Sequence, residues 1–356
     1  MLAGAGELIV YENLTQAERE LVYEVRTFER YKRELAFDLA QRLLRLHQDL
    51  ERIENERRNF ENVKDIRERN EALSAAGRLS AIQVDQARQN ELSSEDRLIT
   101  TRQVYAGSLD SFKLLLGLPM AVELTIDPAQ LELLAAGGEG LGDLGSEHAL
   151  KLARASRPDF LTAVDRVVDA ERRSRVAADA LRMGLDITSS VDVSSETNKP
   201  LRYNFQDVSW SLGILLDLPV ARLPQRNAYR SSLIQWQSAT RSAEEFEDGM
   251  ASDLRDELRS VKARKESTRI QQSAVLLAER RVESVGLNQQ AGRANTRDLL
   301  EAQDALVSSR NAETRAIIDL TLARLELGLD LGLLRVDENG IRMESVPIES
   351  AQEEAK

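Results

Sequence analysis

Sliding the chain along itself by 215 positions brings Ala76-Gly77-Arg78 onto Ala291-Gly292-Arg293, and Leu114-Leu115-Leu116-Gly117-Leu118 onto Leu329-Asp330-Leu331-Gly332-Leu333. Asp38-Leu39 falls on Asp253-Leu254 and Ser93-Ser94 on Ser308-Ser309, with no gap in either copy. Helical composition alone does not hold a register over a span of about 80 positions, so the sequence reads as two structural repeats. Each repeat is a helix, a Gly-Arg turn and a returning helix. The turns at Gly77 and Gly292 are the points around which the two copies fold.

The totals narrow the fold class. With 4% aromatic and 30% charged residues, the 356-residue chain fits long, thin helical layers better than several thick cores. Cysteine is absent, which excludes disulfides, thiolate metal sites and thiol nucleophiles. The only two histidines, His47 and His148, lie apart and outside the turns, and read as surface or packing residues. A net charge of -12 excludes a general affinity for nucleic acid. The basic run from Arg255 to Arg269 includes Asp256, Glu257 and Glu266, the mixture of a solvated helix face. No metal spacing and no nucleophile, base and orienter grouping is present, so no cofactor and no enzymatic activity are expected.

Read in order, Thr15 followed by Glu18 suggests a capping box for a helix from about residue 16 to Ala76. Ser80 is placed to cap the returning helix, from about Ala81 to Leu116. Val122 to Ile126 reads as a short extended piece, and Gly137, Gly138, Gly140, Gly142 and Gly145 mark residues 128–146 as a flexible connection. A helix then covers about 147–183, with a kink or a fresh start at Pro158. A fourth helix follows from about Gln225 to Gln290 and a fifth to about Leu327. On the fifth, Leu299, Ala302, Leu306, Ser309, Glu313, Ala316, Leu320, Ala323 and Leu327 make a small-residue coiled-coil seam. The acidic tail, 335–356, is expected to be loosely ordered.

Between the third and fourth helices the period changes from about 3.6 to 2. Leu185, Ile187, Ser189, Val191 and Val193 alternate with Asp186, Thr188, Ser190 and Asp192. After a polar turn, Val208, Trp210, Leu212 and Ile214 share one face, opposite Ser209, Ser211 and Asp217. A hairpin of a membrane barrel has this pattern, and so does a soluble hairpin packed on helices. Period alone does not separate them, and Trp210 is a lipid-facing residue in the first case and a core tryptophan in the second.

The tips Gly77 to Ala87 and Gly292 to Ala302, Arg157-Pro158-Asp159, the hairpin ending Leu218-Pro219 and the Leu-Gly-Leu ends together resemble the TolC family of outer-membrane efflux ducts. The resemblance covers nearly the whole chain. It implies a mainly α protein of long antiparallel coiled-coil helices in two structural repeats, with a membrane β-hairpin contributing to a trimeric barrel. In that family each chain gives four strands to a shared twelve-stranded barrel in outer-membrane lipid, and its helices to a periplasmic tunnel. The implied partners are two further copies, a periplasmic adaptor (membrane fusion) protein and an inner-membrane pump, in tripartite efflux or type I secretion.

The same resemblance places Asp298 and Glu301 at a cation-selecting pore gate, and Gly77, Arg78, Gly292 and Arg293 at the turns that meet the adaptor. Val208, Trp210, Leu212 and Ile214 would face lipid, and Ser209, Ser211 and Asp217 the lumen. Family positions whose side chains tie the closed tips correspond to Gln83, Gln289, Ile82 and Ala294, which leaves a Gln83 to Gln289 amide bond as the available link. The implied division is 1–127 for the first repeat, 128–146 for a linker, 147–183 for the leading helix of the second repeat, 184–219 for the hairpin, 220–334 for the second helical hairpin, and 335–356 for the tail. Shifted back by 215, the strand hairpin has its counterpart mostly before residue 1. The first repeat is therefore expected to lack its leading helix, its strands and any signal peptide. A soluble coiled-coil scaffold, or a nonfunctional remnant of such a duct, is the competing reading.

Overall fold

The computed structural model of the chain describes residues 7–125, 140–195, 203–217, 221–337 and 340–344. A single turn α1 (Glu7–Val10) precedes α2 (Glu12–Ala75), which returns as α3 (Ala81–Leu115). A 3-10 turn (Leu141–Asp143) leads into α4 (Ser146–Ser156) and α5 (Pro158–Asp179). Strands β1 (Gly184–Ser195) and β2 (Tyr203–Asp217) follow, then α6 (Leu223–Gln290), α7 (Thr296–Asp330), β3 (Leu334–Asp337) and β4 (Gly340–Met343). They form two compact units, one of Met1–Arg30 and Arg157–Met250, the other of Tyr31–Ser156 and Ala251–Lys356.

The 64 residues of α2 contain neither proline nor glycine. Ion pairs one turn apart, such as Arg42–Asp38, Arg57–Glu61 and Arg67–Glu71, line its polar face. Arg57 and Arg58 both donate to the Glu54 carboxylate, and these hydrogen bonds lower its pKa to about 2. The helix begins at Glu12, before the expected start near residue 16. Thr15 is no cap, because its N–H already donates to the Tyr11 carbonyl at 2.8 Å, one turn back.

The 215-residue repeat appears in the backbone. Helices α3 and α7 are both 35 residues long and begin 215 positions apart. Gly77 and Gly292 have φ of 71° and 72°, and Gly117 and Gly332 have 67° and 74°. In all four the glycine closes a Schellman turn, with Arg78 N–H on Leu73 O, Arg293 N–H on Asn288 O, Leu118 N–H on Lys113 O and Leu333 N–H on Gly328 O. Left-handed φ favours glycine here, and the repetition follows from it.

In the unit holding residues 31–156 and 251–356, α2 and α7 run antiparallel. Ala40 and Leu44 cluster with Ile318, Leu322, Leu325, Leu329 and Leu334, and Val63 and Ile66 with Leu299 and Leu300. Between these clusters Asn55 donates to Asn311 at 2.9 Å. Leu306 on α7 packs on Val275 and Ala278 of α6. The expected seam is buried at Leu299, Ala302, Leu306, Ala323 and Leu327 and half-buried between them. His47 and His148 are half-buried.

Several expectations change with packing. The Gly-rich connection is anchored at its described end: Leu141 is buried and Gly142 sits where a Cβ would lie 2.7 Å from Val261 Cγ1. Residues 122–125 form no strand, and Ile126 lies outside the described residues. Of the tail, residues 335–337 and 340–343 form a strand hairpin, and 338–339 and 345–356 lie outside the described residues. Strands β3 and β4 pair as a hairpin whose Leu334, Val336, Ile341 and Met343 extend the α2–α7 core. Its acidic composition hid this, because only alternate residues are apolar.

In the other unit, Pro158 opens α5 as a fresh start rather than a kink. Asp159 receives two bonds from Arg157, at 3.1 and 2.8 Å, and one from Phe160 N–H. Burial raises its pKa, but these bonds and the Arg157 and Arg30 charges outweigh it and hold the carboxyl below the ordinary value. Residues 12–30 of α2 pack on α5 through Asp169, which accepts from Tyr23 at 2.6 Å, pairs with Arg172 at 3.0 Å and also pairs with Arg19. Helix α5 ends at Asp179, short of the expected Met183, and Arg222 donates to the carbonyls of Ala180 and Arg182 beyond it.

Candidate functional site

Three features could carry function: the strand hairpin, and the turns at the ends of the two helical hairpins. The hairpin pairs in one register from Gly184↔Asp217 to Val193↔Val208, with a shift before Ser195↔Tyr203. Ile187, Val191 and Val193 lie opposite Ile214, Trp210 and Val208, and Leu212 opposite Ser189, so one face is largely apolar. Trp210 is 76% exposed, Ile214 68%, Val191 65% and Leu212 61%. On the other face Ser190 and Ser211 share a 2.9 Å hydroxyl bond, and Thr188 donates to Gly213 O at 3.5 Å. Asp217 pairs through its backbone at the end of the ladder. Trp210 is thus not a core tryptophan of this chain.

At the first tip Gly77 and Arg78 are exposed, and at the second Gly292 and Arg293. The backbone N–H of each arginine closes the turn, and neither guanidinium group has a hydrogen-bond or ion-pair partner among the described residues. The two tips differ in the next step. Ser80 stands at the N-cap of α3 but its side chain makes no cap bond. Asn295 and Asp298 form a reciprocal capping box on α7: Asn295 Oδ1 accepts from Asp298 N–H at 2.9 Å, and Asp298 Oδ2 from Asn295 N–H at 3.1 Å. Glu301, one turn on, pairs with Arg297 at 3.0 Å. Both acids at the expected gate are therefore engaged within their own helix start, and both stay at least partly accessible.

The Gln83 to Gln289 bond does not form. Gln289 Oε1 accepts from Arg69 at 3.1 Å, and its amide lies 3.5 Å from Thr296 Oγ1. Thr296, 1% exposed, accepts from Asn70 at 3.0 Å, and this buried bond ties α2 to the start of α7. Sequence reading missed Asn70, Arg69 and Thr296. The signal was there, since Asn70 and Thr296 stand where the repeat has Val285 and Ala81.

No family model matches the chain and no curated protein is similar to it in sequence. Solved structures do match. The outer-membrane channel OprN superposes on 91% of this chain and 72% of its own, with a TM-score of 0.72 at 15% identity. The fold is that of an outer-membrane efflux channel. CusC, whose structures concern folding and transmembrane channel formation, matches 90% of this chain and 74% of its own, with a TM-score of 0.71 at 17% identity. The open-state outer-membrane channel MtrE of Neisseria gonorrhoeae matches 89% and 70%, with a TM-score of 0.70 at 16% identity.

In this fold the hairpin presents an exposed apolar face, and the two helical turns present exposed arginines. Among the described residues no helix is long and apolar enough to cross a membrane, and no cluster of acidic or histidine side chains could hold a metal ion.

Proposed function

We propose that this chain is one subunit of an outer-membrane export channel of the TolC type, a passive duct with no reaction of its own. The observation that carries this reading is the hairpin. Four large apolar side chains, Val191, Trp210, Leu212 and Ile214, point to one side and stay more than 60% exposed, a surface that water disfavours and lipid covers. Two strands leave two open edges, which a membrane does not tolerate. In a shared twelve-stranded barrel neighbouring strands satisfy those edges, and three copies of this hairpin supply six of the twelve. Ser209 and Ser211 then line the lumen, and the long helices form the periplasmic tunnel.

In this reading the tips are the far end of the duct. Arg78 and Arg293, with free guanidinium groups beside Gly77 and Gly292, are the contacts for a periplasmic adaptor that brings an inner-membrane pump. Asp298 and Glu301, repeated once per copy, ring the entrance and favour cations. Their roles at the helix start do not compete with this, because a capping carboxylate keeps its charge.

The test is conductance and membrane insertion of the purified chain. The wild type is expected to conduct in planar bilayers with a preference for cations, and replacing Asp298 and Glu301 together by alanine is expected to reduce that preference while conduction persists. Trp210→Arg should abolish insertion, since a charge at the bilayer midplane costs about 2–4 kcal/mol on the lipid face, whereas Ser211→Arg should insert normally. Equal insertion of the two variants, or none by the wild type, would favour a soluble coiled-coil scaffold.

A further inference from the structure

Positive charge gathers at the base of the strand hairpin, beside its apolar face. Leu185↔Leu216 is the last apolar pair of the ladder before Gly184↔Asp217. Arg182 stands three residues before Leu185, and Arg222 six residues after Leu216. Arg222 Nη1 donates to the carbonyls of Ala180 at 2.5 Å and Arg182 at 2.6 Å, which draws the two ends of the hairpin together. Arg226 N–H donates to Arg222 O at 2.9 Å, and α6 then carries Arg226 and Arg230 one turn apart on one face. On α5, Arg175 stands seven residues before Arg182.

These arginines are turned outward. Arg226 and Arg230 are exposed and have no hydrogen-bond or ion-pair partner among the described residues. Arg175 and Arg182 pair with Glu171 and Asp179 nearby on α5, yet keep 65% and 75% of their side chains exposed. Between Asp217 and Glu244 the sequence has four arginines and no acid, in a chain with 60 acids among 356 residues, so the stretch has no counter-charge of its own. Like charges one turn apart repel, and the stripe weakens the helix that carries it. The repeat does not demand it. Arg222, Arg226 and Arg230 correspond to Glu7, Tyr11 and Thr15, and residues 3–28, equivalent to 218–243, hold five glutamates against two arginines.

We propose that Arg175, Arg182, Arg226 and Arg230 form a basic collar that binds the phosphate groups of anionic phospholipids, in the leaflet on the helical side of the hairpin. Arg222 is a positioning residue, which holds the two ends of the hairpin together. The inference rests on the channel reading, which sets lipid against Val191, Trp210, Leu212 and Ile214. The pair Leu185↔Leu216 then lies at the edge of the hydrocarbon, and the residues that follow on either side meet headgroups. An arginine fork takes two phosphate oxygens at once, and its long apolar stem lets the charge reach along the protein surface to the headgroups. The apolar face fixes the depth of the hairpin, and the collar selects which lipid surrounds its base.

The test reconstitutes the full-length chain into phosphatidylcholine vesicles and uses spin-labelled phosphatidylcholine and phosphatidylglycerol to report which lipid contacts the protein. The wild type is expected to prefer phosphatidylglycerol by about fivefold or more at low salt, since each arginine near the surface contributes about that factor. Most of the preference should disappear in about 1 M salt, where the screening length is about 3 Å. Arg226→Gln combined with Arg230→Gln should remove it, whereas Arg280→Gln with Arg281→Gln, the same change of charge far along α6, should leave it intact. Both double variants should melt like the wild type, because none of these four arginines has a partner to lose among the described residues. If the wild type enters the vesicles but takes both lipids equally, or if the Arg226 and Arg230 variant keeps the preference, the collar is overturned and the channel reading stands. If that variant keeps the preference and instead dissociates by light scattering, the stripe is a contact between copies and not a lipid site. A chain that does not enter phosphatidylcholine vesicles overturns both readings.

Discussion

Gly117 and Gly332 form an internal control, because they have nearly the same φ, +67° and +74°, at equivalent ends of the two repeats. Alanine at either position must adopt a left-handed backbone, at about 1–2 kcal/mol. At Gly117 a Cβ meets nothing within 4 Å, so strain is the whole cost. At Gly332 it would lie 2.8 Å from Ser156 Oγ and 2.9 Å from the Ser156 carbonyl carbon and oxygen. The hydroxyl cannot swing away freely, since it lies 2.6 Å from both Leu152 O and Leu331 O and donates to one or the other, and the backbone cannot move without shifting the end of α4. Overpacking of that kind adds about 1–3 kcal/mol. Gly332→Ala should therefore cost about 2 kcal/mol more than Gly117→Ala. Thermal unfolding followed by circular dichroism at the helix band should separate the two variants by roughly 4–8 °C. Equal midpoints would refute the claim that packing against Ser156, rather than φ, distinguishes the two ends.

Two further outcomes follow from single carboxylates. Asp298→Ala removes one side of the α7 capping box and should destabilise the helix start by about 1 kcal/mol, seen as faster amide exchange at residues 296–300, while Glu301→Ala loses only an exposed pair and should stay within about 0.5 kcal/mol. Asp159 has a folded pKa below its unfolded value near 3.9, so its contribution is present above about pH 4 and is lost as pH falls through the folded value. Unfolding midpoints measured across that range should fall more steeply with acid for the wild type than for Asp159→Asn, and parallel curves would count against the assignment.

The sequence by itself determined what depends on neighbours along the chain. The four glycine turns, the strand hairpin with its two faces, a break at Pro158 and the 215-residue register were all legible, because helix period, strand period and left-handed turns are local preferences. Tertiary structure decided what those elements meet. Composition marked the tail as loose, yet Val336, Ile341 and Met343 pack on the cluster that α2 and α7 present. The sequence left Gln83 to Gln289 as the available tip link, but the approach of α2 to α7 gives Gln289 to Arg69 and Thr296 to Asn70. The resemblance singled out Asp298 and Glu301, and their capping and pairing came only with the structure. The repeat alone says the two halves are alike; only packing shows that α7 is largely covered and α3 largely bare, because burial depends on what stands across the interface rather than on the residue itself.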